Sequence, residues 1–501
     1  MKQFKRQSGI LLPVFSLPGG HGIGSLGKAA YDFVDYLSAC GCSIWQLLPL
    51  NVTSYGDSPY QSPSSAGLNY YFIDLDILVE KGLLTKEEVD SFDFGNNPRR
   101  IDYSKLFNGR VKLLRIAFSR FDQNDPEFAA FEKQGQYRDF AFYMTLKEIN
   151  DYKPYYEWET SYYKYNEALE NLIICDYEET YLFYIWTQYE FRKQYFALKQ
   201  YANAKDIYMM GDLPLYLARD SVECYKHPEL FQLDEDGNPT VVAGCPPDVF
   251  TEYGQLWGNP IYDWDYMKKD GYSWFRNRID YNFELFDIVR IDHFRGLAGY
   301  YAIPYGMKDA KIGEWREGPG YDLFEGITDR NIVAEDLGYI DQPVIDLIER
   351  TGFPGMKIME FAFDGDPENE HRPSTVGENC IIYTGTHDNM PLMGYLAGLT
   401  EEERENYRES VIIDCFRLGV SPKGNTDVDL ARHTMELGYA SEAKYAIYPM
   451  QDLKFFGEES RLNLPSTISE NNWSFRLLKE DFDDGLKNFI IGNRMSTKRD
   501  I

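Results

Sequence analysis

No stretch of this 501-residue chain approaches the ~20 consecutive apolar residues that a membrane-spanning helix needs, which excludes a helical bilayer span. The start, Met1-Lys-Gln-Phe-Lys-Arg6, is basic, but Pro13, Pro18 and the glycines from Gly19 to Gly27 interrupt the apolar core that a secretory leader requires. Cysteine is scarce and odd in number. Seven residues do not form a disulfide framework, and Cys40-Gly-Cys42 lacks the spacing of a redox or zinc pair. Buried free thiols and a cytoplasmic location are therefore expected. Positive charge is also short: Lys+Arg number 51 against 80 Asp+Glu, a net charge of −29. Such a surface repels phosphate backbones and anionic lipid, which argues against nucleic acid and membranes as partners. Only six histidines occur, and neither His293 nor His387 belongs to a His-x-x-x-His or Cys-x-x-Cys arrangement, so no metal is expected. Internal repeats and low-complexity linkers are absent.

What is present is a large apolar inventory, 44% hydrophobic and 16% aromatic, enough for an extensive core. Strand-like runs, apolar and β-branched or aromatic and closed by turn residues, recur at 44–50, 207–216, 287–292, 332–335, 356–363, 380–387 and 445–450. Helical patterns lie between several of them, for example over 29–38 and 343–350. Alternating strand and helix predicts a parallel sheet. Polar residues gather just after so many of the strands that a closed (β/α)8 TIM barrel is favoured over an open sheet with one or two switch points.

One catalytic barrel domain over 1–501 is thus expected, with two insertions around its C-terminal face. The first, about 80–205, is helical and Tyr-rich. Its 178–200 segment places Leu182, Ile185, Trp186, Tyr189 and Phe196 on one helical face, read as packing rather than a cofactor box. The second, 217–283, is read as loop-rich and substrate-covering, with turns at Asp236-Gly-Asn-Pro239 and Cys245-Pro-Pro-Asp248.

Three acids end three of the strand-like runs: Asp292, Glu335 and Asp388. A parallel barrel gathers such ends around one mouth, and two carboxylates facing each other across a sugar bond are what retaining glycoside chemistry requires. Strand alternation puts Arg290 beside Asp292, where a guanidinium would lower the carboxyl pKa and keep a nucleophile ionised. A structural ion pair is the competing reading, and Arg-x-Asp alone favours it. Glu335 follows Ile332-Val-Ala334 with no basic residue nearby except Arg330; an apolar setting raises a carboxyl pKa, as a general acid needs. A carboxylate ending a strand at the surface reads equally well. Asp336, on the opposite face, is assigned a structural role. Asp388, flanked by His387 and Asn389, could bind sugar hydroxyls and favour a strained ring in the transition state. Asp212, in Met210-Gly-Asp-Leu-Pro214, is evenly a sugar contact or a turn residue.

A rival reading starts from Gly22-Ile-Gly24-Ser-Leu-Gly27, which satisfies the dinucleotide pattern G-x-G-x-x-G before a helical segment. That fingerprint wants an acid about 20 positions on, and no Asp or Glu occurs between Asp35 and Asp57. A glycine-rich turn is the better reading, and no cofactor is expected.

These segments, with Gly56-Asp-Ser-Pro-Tyr60-Gln-Ser62, Gly254-Gln-Leu-Trp257-Gly-Asn-Pro-Ile-Tyr262, Arg290-Ile-Asp-His-Phe-Arg-Gly296, Ala334-Glu-Asp-Leu-Gly338, Pro354-Gly-Met-Lys357, Thr386-His-Asp-Asn389 and Arg461-Leu-Asn463, taken in this order, resemble the amylomaltase family. Its members are 4-alpha-glucanotransferases related to the alpha-amylase superfamily. The resemblance covers nearly the whole chain. It implies Asp292 as nucleophile, Glu335 as acid/base and Asp388 as transition-state stabiliser. It also implies that Arg290 and His387 assist at the cleavage site, with Tyr60, Asp212, Gln255, Trp257 and Asn463 contacting substrate. For Trp257 a loop-anchoring role competes. Implied partners are alpha-1,4-glucans and maltooligosaccharides. Two departures lie in loops near substrate: Asn51-Val-Thr53 replaces the usual Gly-Pro-Thr, and Pro465-Ser466 replaces Pro-Gly. An alpha-1,4-glucan hydrolase would share the same carboxylates, and only the resemblance favours transfer. A noncatalytic glucan-binding barrel would be expected to lack at least one of the three acids.

Overall fold

Strand β1 (Gln7–Leu11) lies inside an eight-stranded parallel sheet in the computed structural model, which describes residues 6–54, 56–247 and 252–500. In chain order the others are β2 (Ile44–Gln46), β3 (Tyr208–Leu213), β4 (Val241–Cys245), β5 (Gln255–Pro260), β6 (Ile288–Ile291), β7 (Gly299–Pro304), β8 (Glu314–Glu317), β9 (Ile332–Ala334), β10 (Gly355–Ile358), β11 (Cys380–Tyr383) and β12 (Tyr445–Pro449). The large sheet runs β10-β11-β12-β1-β2-β3-β6-β9. Its pairs are parallel, for instance Gly9↔Ile44, Met210↔Ile288, Ile291↔Ala334 and Ile381↔Tyr445. Strands covered on both faces read as nearly continuous apolar runs, and these are buried throughout or almost so.

The outer strands β9 and β10 meet without a regular ladder. Ala334 N donates to Pro354 O at 2.9 Å, and Met356 N donates to the Asp336 side chain at 2.6 Å. The curled sheet therefore closes as a (β/α)8 barrel, and a carboxylate supplies part of the seam. A Cβ at Gly355 would stand 2.3 Å from Asp336 Oδ2, so only glycine lets the two strands approach this closely. Burial raises the Asp336 carboxyl pKa, which the Met356 N–H counters. Replacing Asp336 by Ala should leave that N–H without its partner and cost about 1–3 kcal/mol in urea unfolding. Asp336→Asn, which keeps an acceptor oxygen, should recover most of the loss. An unchanged midpoint for the alanine variant would show that the seam does not depend on it.

Helices separate the barrel strands. Lys28–Cys40 links β1 to β2 and stops at Gly41, whose φ of 73° is the left-handed cap that glycine favours. Glu178–Asn203 leads into β3, Ser273–Leu285 into β6, Gln342–Thr351 into β10 and Asp427–Ala440 into β12. Alternation of this kind leaves every strand's C-terminal end at the same mouth. On Glu178–Asn203, Ile185, Trp186 and Tyr189 are buried and Leu182 and Phe196 pack at the edge of the core.

The seven expected runs fall on β2, β3, β6, β9, β10, β11 and β12, but several extend past the observed strand end. The overshoots are the first residues past the strand ends: apolar at 47–50, a 3-10 turn at Met359–Phe361, and the acids Asp292 and Glu335 after β6 and β9. β1 gave no signal because Gln7-Ser8-Gly9 breaks its apolar pattern. The 217–283 segment is more ordered than its loop-like composition suggested, holding β4, β5 and the helices Trp264–Lys268 and Ser273–Leu285. β4 and β5 join β7 and β8 in a second, antiparallel sheet of order β5-β4-β7-β8. Gly244, Gly258 and Pro260 weaken their local strand signal, and partners later in the chain supply the missing stabilisation. No helix among the described residues is long and apolar enough to cross a membrane.

Candidate active site

Asp292 and Glu335 are the residues immediately after β6 and β9, which pair in register as Ile291↔Ala334. Adjacent strands lie about 4.8 Å apart, and residues matched in parallel register project to the same side. The two acids thus leave neighbouring strand ends toward one cleft. Glu335 N donates to Ile291 O at 3.1 Å and Phe294 N donates to Glu335 O at 3.0 Å, tying the two ends together past the last strand residues. His293 makes this possible by adopting φ 49°, ψ 47°, a left-handed turn that is uncommon outside glycine. That turn aims the His293 N–H at Glu335 Oε2, 2.7 Å away, while Leu337 N donates to Oε1 at 2.8 Å.

Arg290, buried within β6, organises the floor. Its Nη1 reaches both Asp212 oxygens at 2.7 Å and Asp292 Oδ1 at 2.9 Å. Tyr60 OH donates to Asp212 Oδ2 at 2.7 Å, and the Tyr60 ring stacks on His387 with centroids 5.0 Å apart and planes 17° from parallel. His387 Nε2 lies 3.2 Å from Asp388 Oδ2, and Asn463 Nδ2 donates to Asp388 Oδ1 at 2.6 Å. Arg461 Nη2 fixes the Asp388 carbonyl at 2.8 Å. One connected set therefore links Asp292, Arg290, Asp212, Tyr60, His387, Asp388 and Asn463.

The three acids differ in environment. Burial raises Glu335 to about 7 against the pull of Arg290, with Asp292 adding to the rise. For Asp388 burial works upward too, but His387 and the Asn463 amide outweigh it and hold the carboxyl at about 2. Burial likewise opposes protonation of His387, yet Asp388 raises its pKa. Arg290 does pull Asp292 downward, as expected, but it does not win: Asp292 is raised to about 6. Burial is the first cause, and the Asp212 and Asp388 charges add to it. Arg290 cannot offset them because the same nitrogen that meets Asp292 already holds Asp212. At neutral pH Asp292 is still mostly ionised while Glu335 is divided between its two forms. The Asp292 and Asp388 side chains keep 27% and 43% of their surface exposed, so both face the cleft.

Asp212, expected to touch substrate, has no exposed side-chain surface. It holds Arg290 and Tyr60 in position from beneath. Gln255 and Trp257 lie on β5, with Trp257 Nε1 donating to Gln255 Oε1 at 3.0 Å. The Trp257 ring meets His293 edge-to-face at 4.7 Å, which brings this sheet to the turn between the two acids. Asp248, in the Cys245-Pro-Pro-Asp248 turn, lies outside the described residues.

Sequence reasoning did not single out Gln46, Tyr383 or Trp473. Tyr383 OH donates to Gln46 Oε1 at 2.9 Å between β11 and β2, and the Trp473 ring lies 5.7 Å from Tyr60 and 5.8 Å from His387. A polar residue inside an apolar strand, as at Gln46, was the one available signal. Among the described residues no cluster of three or more His, Cys, Asp or Glu side chains is placed to hold a metal ion. The Gly22–Gly27 turn packs internally. A Cβ at Gly24 would meet Val14 O at 1.9 Å, and one at Gly27 would meet the Asp74 carboxylate at 2.0 Å. An acid in that position repels the pyrophosphate that a dinucleotide loop would hold there.

A (β/α)8 barrel with two buried carboxylates at the ends of adjacent strands, the second raised further than the first, has the architecture of an enzyme acting on glycosidic bonds. The comparisons narrow the class. A sequence model of the 4-alpha-glucanotransferase family matches residues 12–480, and the chain belongs to that family. It is 42% identical to the 4-alpha-glucanotransferase of Streptococcus pneumoniae serotype 4 over 97% of this chain and 96% of that one. Identity to the 4-alpha-glucanotransferase of Clostridium butyricum is also 42%, over 95% and 97% of the two chains. Among solved structures, amylomaltase from Streptococcus agalactiae in complex with acarbose superposes with a TM-score of 0.93 at 38% identity, covering 99% of this chain and all of that one.

Proposed function

We propose that this 4-alpha-glucanotransferase moves alpha-1,4-glucan segments to the 4-hydroxyl of another glucan or of glucose by double displacement. Asp292 Oδ attacks the anomeric carbon as the bond to the leaving oxygen breaks, and Glu335 gives that oxygen its proton. The resulting glycosyl ester is opened by an incoming 4-hydroxyl, whose proton returns to Glu335, so the bond formed has the configuration of the bond broken. Asp388, held ionised between His387 and Asn463, accepts hydrogen bonds from sugar hydroxyls as the ring flattens. Arg290 and His387 fix the acids, and Tyr60, Gln255, Trp257 and Asn463 line the path of the glucan. Asp212 acts through Arg290 and Tyr60. We read the whole chain as one catalytic domain in which the 217–283 segment, bearing Trp257, covers the substrate. All seven cysteines are free of disulfides, which supports a reducing compartment, the cytoplasm.

The observation that carries this reading is the β6–β9 register. It places two carboxyls on neighbouring strand ends, one mostly ionised and one poised near neutrality. Hydrolysis would use the same groups, and family membership is what favours transfer. Incubation with maltotriose decides between them. Disproportionation should give glucose together with a ladder of oligosaccharides longer than the starting sugar. Products no longer than maltotriose would make the protein a hydrolase.

A further inference from the structure

Trp315 of β8 and Tyr339, in the loop after β9, are both exposed, with 40% and 64% of their surface open to solvent. Their rings lie 6.1 Å apart with planes 26° from parallel. Beneath them sits Arg295, a buried residue three positions past Asp292, with Cζ 3.7 Å from the Trp315 centroid and 5.6 Å from that of Tyr339. Were Tyr339 stacked on the far face of Trp315, its distance from Arg295 would approach the sum of the 3.7 and 6.1 Å separations; 5.6 Å sets Tyr339 to the side. The two rings thus stand side by side and nearly parallel over Arg295, each partly open to solvent.

The ring pair is held rigidly as a platform. Tyr301, the register partner of Trp315 on β7, meets it edge-on at 5.2 Å and 61°. Arg295 Nη2 bonds Asp341 Oδ2 at 3.1 Å, pinning the Tyr339 loop from below. Buried Arg295 Nε and Nη1 have no hydrogen-bond partner, which marks this guanidinium as a support for the rings rather than the centre of a polar network. Leu337, whose N–H binds Glu335, lies two residues before Tyr339. Chain geometry keeps the Tyr339 Cα within about 14 Å of the Glu335 Cα. The ring pair therefore lies on the segment that leads away from the acid, within reach of a chain leaving the cleft past Glu335.

We propose that Trp315 and Tyr339 form a subsite for the glucan segment on the leaving-group and acceptor side of the cleaved bond. This inference rests on the glucan-transfer reading. Pyranose rings present faces of C–H groups that pack on aromatic rings, and two nearly parallel rings side by side suit consecutive units of one chain. Each ring removed should weaken the grip on long chains more than on short ones.

The test compares kcat/KM on maltotriose and maltoheptaose for the parent, Trp315→Ala, Tyr339→Ala, Trp315→Phe and Phe416→Ala. Phe416 is an exposed aromatic on the distant helix Glu401–Leu418 and serves as control. Each alanine variant at the platform should lower the maltoheptaose value on the order of tenfold, with a smaller fall on maltotriose. Trp315→Phe should recover most of the loss, and Phe416→Ala should leave the length dependence as it is. Both platform variants keeping the parental ratio of the two substrates would overturn the proposal. Calorimetric affinity for maltoheptaose, measured in the Asp292→Asn background, separates this inference from the function it rests on. Absence of transfer by the parent refutes the function, whereas equal affinity with and without the rings refutes the platform. Tyr339 sits in an exposed loop, so its variant tests the idea even if Trp315→Ala folds poorly.

Discussion

Asp292→Asn is expected to lower kcat for maltotriose disproportionation by at least ~10⁴-fold, because an amide cannot form the glycosyl ester on which both half-reactions depend. The fold should survive the change. A carboxyl whose pKa is raised in the folded state is ionised less readily there than in the unfolded chain, so it costs stability as pH rises above the unfolded value of about 4. Asp292 is raised to about 6 by burial and by Asp212 and Asp388. A neutral amide removes that cost at pH 7, so the variant should unfold at a temperature no lower than the parent's. Lost activity with retained stability assigns the loss to chemistry. Residual transfer within tenfold of the parent would remove Asp292 from the role of nucleophile.

Glu335→Gln should lower kcat on the same sugar by roughly 10²–10⁴-fold, the usual range for removing a general acid. Its effect should depend on the donor. With a glucosyl fluoride, whose leaving group departs without a proton, formation of the intermediate should be far less impaired, while transfer to an acceptor remains slow for want of a base. The pH profile carries the same information. Activity needs Asp292 ionised and Glu335 protonated, so the parent should rise through about 6 and fall above about 7. The two groups influence each other, so these limbs belong to the pair. In the glutamine variant the falling limb should vanish and the rising one remain. A falling limb that persists would mean that another group donates the proton.

The three acids were legible because each ends an apolar run, a pattern that barrel geometry turns into convergence at one mouth. Glu335 was readable further, since the lack of nearby basic residues in sequence corresponds to an apolar surrounding in space. Asp292 was not: its neighbour Arg290 is visible in sequence, but the Asp212 carboxylate that shares the guanidinium comes from β3, far away in the chain. The burial of Asp212 was hidden for the same reason, since local sequence shows an acid near a strand end and not the Arg290 and Tyr60 side chains that cover it. β1 and the antiparallel sheet escaped notice because Gly, Pro or charged residues interrupt their apolar patterns, and their pairing depends on strands elsewhere in the chain. The left-handed turn at His293 gave no local signal, yet it aims a backbone N–H at Glu335.

Trapping the intermediate tests the account most directly. The protein would be incubated with a 5-fluoro maltosyl fluoride donor, which slows breakdown of the ester, and then digested and mapped by mass spectrometry. The account predicts a single glycosyl adduct on the peptide containing Asp292, absent from Asp292→Asn. Consumption of the donor with no adduct, or an adduct on another side chain, would contradict it.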